Sequence, residues 1–246
     1  MPKGTQHLRQ IVHKIKELQQ NDLKSLIVFD LDSTLFDVSP RLQQILHDFA
    51  YRPENQKLYP ESCEVLKTIE MQRSDWGIRN ALIRAGLDQH SSEFHKAVKQ
   101  YWIDSFFTNH YLQYDRPYAG AVEFVQKVAQ LGTEIVYLSG RDRPGMEKGT
   151  IEVLEKWKFP LDGKKAKVAL KPQKGLDDAE FKRDWFLAIP REAFAQVWFF
   201  ENEPLNVNAI RAHFDHIDII FFESTHAGKA EPPSDLPKIF HFMMED

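Results

Sequence analysis

The sequence predicts an α/β fold: an open parallel sheet flanked by helices, with an all-α segment inserted into it. Three observations carry that prediction. Short β-rich runs alternate with longer helical patterns through most of the chain. From Val38 to Arg116 the alternation stops, and only helical patterns remain. Four of the five expected strands run into polar residues at their carboxyl ends, where open parallel sheets collect their ligands.

The elements follow in chain order. Leu8, Ile11, Val12, Ile15 and Leu18 recur at helical spacing in an N-terminal segment whose interspersed charges exclude a secretory signal. Their shared face suits core packing or a self-association seam. "SLIVFD" from Ser25 is the first strand. The helical block then shows Leu42, Ile45, Leu46 and Phe49 after Pro40, and Val65, Leu66 and Ile69 after Pro60. Ala81, Leu82 and Ala85 end at Gly86, and Phe94, Val98, Tyr101 and Trp102 complete the block. A helix with Ala121, Phe124, Val125, Val128 and Leu131 on one face stops at Gly132. The remaining strands are "EIVYLS" from Glu134, "KVAL" from Lys167, "QVWFFE" from Gln196 and "IDIIFF" from Ile217, with a helix between the first two of these ended by Pro160. The division expected is a core of residues 1–37 and 117–246 and a helical cap of residues 38–116.

Composition bounds the function. The chain has 246 residues, 42% hydrophobic and 28% charged, ample for a sizeable core. A net charge of -4 argues against dedicated nucleic-acid binding. The longest apolar runs are too short to cross a bilayer. A single cysteine, Cys63, excludes an intramolecular disulfide and points to a reducing, cytoplasmic setting.

The stretch "VFDLDSTLFD" (28–37) poses the central chemical question. Side chains two apart on extended backbone share a face, so Asp30 and Asp32 would lie side by side. Two carboxylates that close repel unless positive charge stands between them. Ser139 and Gly140, following the apolar "IVYL", offer a hydroxyl and backbone N–H groups that can cradle a phosphate oxygen. Arg141 would either present its donors to a substrate or pair with Asp142. Lys171, Lys174 and Lys182 are candidates for a cation near the carboxylates; Asp178, four residues before Lys182 on one helical face, favours Lys182.

Taken in order, "DLDST" (30–34), "YLSGRD" (137–142), "DDAEFK" (177–182) and "FFENEPLNV" (199–207) resemble the four motifs of the haloacid dehalogenase superfamily, over a core from Ser25 to about His213. The resemblance implies a Rossmann-like core with a helical cap after the first motif, and a magnesium-dependent phosphatase acting on a small phosphomonoester. Asp30 would be the nucleophile and Asp32 the general acid and base. Lys182, in a segment similar to the polynucleotide-phosphatase-like branch, would neutralise charge. Ser139, Gly140, Arg141 and Thr34 would bind the phosphate. Mg2+ would be held by Asp30, the backbone carbonyl of Asp32, Glu201 and Asn202. Here the chain departs from the family, which usually carries a pair of aspartates where Glu201 and Asn202 stand, with Asn206 at a further polar position. That departure keeps a non-catalytic phosphate-binding or scaffold protein in view, and a phosphotransferase or phosphomutase shares the same intermediate. A dehalogenase attacks carbon and needs neither metal nor acid.

Three lesser features have plain readings. Lys164, Lys165, Lys167, Lys171 and Lys174 read as solvated surface, and His213 with His216 as structural. Trp76, Tyr101, Trp102, Phe106 and Phe107 either line a substrate pocket or form the helical segment's own core.

Overall fold

The computed structural model describes residues 3–244. A six-stranded parallel sheet forms its centre, built from β1 (Ser25–Phe29), β4 (Glu134–Asp142), β5 (Ala166–Lys171), β6 (Gln196–Glu201), β7 (Ile217–Phe222) and β8 (Lys238–Ile239), in the order β5-β4-β1-β6-β7-β8. Two-residue strands β2 (Phe36–Asp37) and β3 (Arg116–Pro117) pair antiparallel beside it.

Alternation along the strands explains the layering. In β1, Ile27 and Phe29 join one apolar cluster, which also takes in the N-terminal helix Lys3–Gln20 and the helices Ala121–Gln130 and Arg143–Lys156. Leu26 and Val28 join the cluster on the other face, with the helices Asp178–Leu187 and Pro204–Arg211. Strands β4, β6 and β7 split their side chains in the same way. A sheet buried on both faces needs apolar residues at both phases, hence the near-continuous runs "LIVF" and "VWFF". Of the two roles open to the N-terminal helix, core packing is the one observed: Leu8, Ile11, Ile15 and Leu18 are buried.

Between β2 and β3 the chain forms helices Ser39–Tyr51, Pro53–Leu58, Pro60–Leu66, Arg79–Arg84 and Ser92–Phe106 and a 3-10 turn Asn109–Tyr114. These enclose a third apolar cluster drawn from residues 38–98. Its two ends meet, because Phe36 pairs with Pro117 and Asp37 with Arg116. No helix among the described residues is long and apolar enough to cross a membrane.

Gly120 marks a tight closure. Its φ is +77°, and a Cβ there would lie 2.4 Å from the backbone nitrogen of Met243, where Phe242 N–H donates to the Ala119 carbonyl at 2.8 Å. Gly120→Ala is therefore expected to cost about 1–3 kcal/mol, read as a lowered urea midpoint with an unchanged slope.

Candidate active site

β1 lies between β4 and β6, so the carboxyl ends of these three strands stand side by side at the middle of the sheet. Asp30 continues the ladder, donating its backbone N–H to the Phe200 carbonyl at 3.0 Å. The chain then turns at Ser33, whose φ of +64° is costly for a residue with a side chain. Ser33 N–H bonds the Phe36 carbonyl at 2.8 Å, and its own carbonyl accepts from the Ser224 hydroxyl at 2.5 Å; these contacts hold the turn. Above the strand ends lies a cavity of about 410 Å³. Asp30, Asp32, Ser139, Gly140, Arg141, Lys182 and Glu201 line its floor, and Trp76, Trp102, Phe106 and Phe107 approach from the helical segment.

Lys182 is the cation placed between acids. It is buried, and its ammonium donates to Asp30 Oδ1 and to Glu201 Oε2, each at 2.6 Å. Its helix begins where the Asp177 side chain accepts from Glu180 N–H, which aims this turn at the strand ends. Glu201 is further fixed by the N–H groups of Asn202 (2.8 Å) and Glu203 (2.9 Å) on Oε1 and by Asn206 Nδ2 (3.0 Å) on Oε2. Burial, then the neighbouring Glu201 charge, pushes the Asp30 carboxyl up to about 7, against the pull of Lys182. Burial opposes the charge on Lys182, but Asp30 and Glu201 overcome it and hold the ammonium above its ordinary range.

Asp32 belongs to a separate ion cluster. Arg41 Nη2 donates to its Oδ1 at 2.9 Å, and Arg141 also donates to it, through Nε at 3.1 Å and through Nη2. Both guanidiniums also reach the buried Asp115, Arg41 Nε at 2.7 Å and Arg141 Nη2 at 2.7 Å. Burial alone would raise the Asp32 carboxyl; Arg141 and Arg41 outweigh it and hold the group well below the ordinary carboxylate range. Pairing between β4 and β5 shifts register between Ser139 and Asp142, and this irregularity carries Arg141. Arg141 thus does not pair with Asp142, whose carboxylate instead caps the next helix by accepting from Gly145 N–H at 2.8 Å. Nothing in the sequence marked Arg41 or Asp115: they lie 74 residues apart, and only the junction at β2 and β3 brings them together.

Other expected residues stand elsewhere. Thr34 is wholly buried outside the cavity lining, and its hydroxyl donates to Asn202 Oδ1 at 3.0 Å, where it acts as a strut. Asn202 donates its amide N–H to the Thr225 carbonyl at 2.6 Å, so its side chain ties two loops together. Asp178 does not orient Lys182; it accepts from Lys171 at 2.6 Å. Lys174 is exposed over the Phe107 ring, and Lys164, Lys165 and Lys167 are exposed. His213 Nδ1 lies 2.9 Å from the Ala209 carbonyl. Of the aromatic group only Tyr101 lies outside the cavity wall; it packs on Phe49 with ring centroids 5.6 Å apart.

Charge balance tests the fit of a metal. Around Asp32 two guanidiniums face two carboxylates, whereas one ammonium faces both Asp30 and Glu201, leaving that buried cluster one negative charge in excess whenever Asp30 is ionised. No three His, Cys, Asp or Glu side chains among the described residues converge as a ligand group. Magnesium asks for less: one or two carboxylates with retained waters suffice. Hard oxygen donors and an uncompensated negative charge fit Mg2+.

The chain belongs to the haloacid dehalogenase-like hydrolase family, whose match spans residues 24–173 and so covers both the first-motif strand and β4. No curated protein matches it in sequence. Among solved structures, it is similar to Protein Tyrosine Kinase A of Mycobacterium tuberculosis at 13% identity, TM-score 0.50, covering 88% of this chain and 94% of that one. A haloacid dehalogenase superfamily hydrolase from Ehrlichia chaffeensis aligns at 13% identity, TM-score 0.45, over 89% and 93%. A protein described as a predicted phosphatase from Clostridium acetobutylicum aligns at 14% identity, TM-score 0.46, over 82% and 85%. At these identities the likeness concerns the fold alone.

Proposed function

We propose that this hydrolase is a magnesium-dependent phosphatase that cleaves a small phosphomonoester through an aspartyl-phosphate. One observation carries the reading: Asp30 and Glu201 share the Lys182 ammonium on the floor of a cavity at the strand ends. Asp30 attacks phosphorus through a carboxylate oxygen as the ester P–O bond breaks. Asp32 protonates the departing oxygen, then takes a proton from the water that attacks phosphorus and frees Asp30. Its two guanidiniums favour the ionised form, so the proton it passes to the leaving oxygen is one it first takes from the substrate's phosphate monoanion, and it is ionised when the water arrives. Lys182 holds Asp30 in place and offsets charge gathering on the phosphoryl oxygens. Ser139, Gly140 and Arg141 line the same cavity and would bind the phosphate there. When bound, Mg2+ would be held by the carboxylates of Asp30 and Glu201 and the backbone carbonyl of Asp32, and would supply positive charge against the phosphoryl group.

Residues 38–116 serve as a cap over this core, rooted where β2 pairs with β3, and exclude bulk water during turnover. A cytoplasmic setting fits the lone, buried Cys63.

Assay with an aryl phosphate tests the reading. Turnover is expected with magnesium, lost on chelation and restored by added Mg2+. Inactivity across a broad phosphomonoester panel, with no calorimetric sign of magnesium binding, would favour the non-catalytic alternative.

A further inference from the structure

The cavity wall opposite Asp30 says what the substrate's other half is made of. Trp76 is 51% exposed and lines the cavity as well as two neighbouring surface hollows, so its indole is open to a stacking partner. Its loop is not loose. Next to it Asp75 is 2% exposed and accepts from Gln72 N–H at 2.8 Å and from Arg84 Nη2 at 2.6 Å, while Arg84 also donates to the Glu70 carbonyl at 3.3 Å. On the other side Gly77 takes φ +66°, a left-handed conformation that a side chain would strain, with the Trp102 ring in ordinary contact range of where a Cβ would stand, at 3.6 Å. The half-exposed Arg84, paired with the buried Asp75, and a left-handed glycine thus hold the loop that carries Trp76 to the cavity also lined by Trp102. From Trp102 the aromatic surface continues through Phe106 and Phe107, at centroid separations of 6.0 and 5.1 Å.

The charges of the cavity point the same way. Three cations line it, and each is already engaged: Lys182 by Asp30 and Glu201, Arg141 by Asp32 and Asp115, and Lys171 by Asp178 at 2.6 Å and the Leu176 carbonyl at 3.0 Å. The phosphate itself must compete for Lys182 and Arg141, so a second anionic group on the substrate would find no further unpaired cation among the described lining residues, and Glu203 also lines the cavity.

Resting on the phosphatase reading, we propose that the preferred substrate is a phosphomonoester whose organic half is an uncharged planar ring, aryl or heteroaryl, stacked on Trp76. Trp102 and Phe107 complete the slot, and about 410 Å³ accommodates a ring, a short linker and the phosphate together. The slot sets specificity and adds no chemistry to the phosphoryl centre.

Substrate pairs with the same class of leaving alkoxide isolate the ring's effect. Benzyl phosphate is compared with cyclohexylmethyl phosphate, uridine 5′-monophosphate with ribose 5-phosphate, and 4-carboxybenzyl phosphate supplies the anionic ring. In both pairs the ester with the planar ring is expected to have a kcat/KM about tenfold or more higher, mainly through KM, and the carboxylated ring to lose that advantage. Trp76→Ala should bring the ratios towards one and Trp76→Phe restore most of them; because Trp76 is half-exposed, melting temperatures should not move. Turnover with ratios near one, ratios unmoved in Trp76→Ala, or a carboxylated ring preferred would overturn the inference while leaving the phosphatase reading standing. No turnover of any ester would overturn both.

Discussion

Asp30→Asn is expected to abolish turnover, by about 10³-fold or more, and with it any phosphate trapped covalently on the protein. An amide oxygen is too weak a nucleophile to open the phosphate ester, and no other carboxylate stands in its place: Asp32 is pinned by Arg41 and Arg141, and Glu201 by two backbone N–H groups and Asn206. The same change should not harm the fold. Asparagine keeps an oxygen for Lys182, and the buried set passes from two carboxylates against one ammonium to one against one. A melting temperature equal to or above that of the parent, together with lost turnover, is therefore the expected pair of results. Phosphoenzyme still formed by Asp30→Asn would refute the covalent route, and a large fall in melting temperature would refute the charge argument.

Much of this arrangement was legible in the sequence, for a physical reason. A parallel strand buried on both faces must be a short apolar run, so "QVWFFE" and "IDIIFF" give their strands residue for residue. Chemistry at a strand's end is equally local: Asp30, Ser139 and Glu201 each follow such a run and each reach the cavity. What could not be read were contacts made across the chain. The two-residue strands β2 and β3 and the short β8 carry too few residues for any periodicity to show. Arg41 and Asp115 look like ordinary charged residues until the junction sets them on Asp32. Helical spacing from Asp178 to Lys182 suggested a partnership, yet Lys182 had two buried carboxylates to satisfy and Asp178 a nearer ammonium in Lys171. Local pattern lost to long-range charge, as it must where desolvation is greatest.

That same burial makes Lys182 the position with the largest expected effect on stability. Lys182→Met keeps the side chain's length and apolar stem while removing the charge, so the packing beneath the sheet changes little. What remains is Asp30 and Glu201 facing one another with no cation between them. Breaking a buried ion pair on one side costs about 3–5 kcal/mol, which for a chain of this size lowers the melting temperature by roughly 10 °C. Measured with chelator present, that fall should be accompanied by loss of turnover on readdition of magnesium, because the phosphoryl group loses its nearest ammonium. A second change identifies the cause. If repulsion between the acids produces the fall, adding Asp30→Asn to Lys182→Met should recover a large part of it, a strongly non-additive result that neither lost packing nor a lost hydrogen bond would give. Additive losses would mean that Lys182 supports the fold through its stem, and that the excess negative charge beside Asp30 is already met by solvent in the cavity.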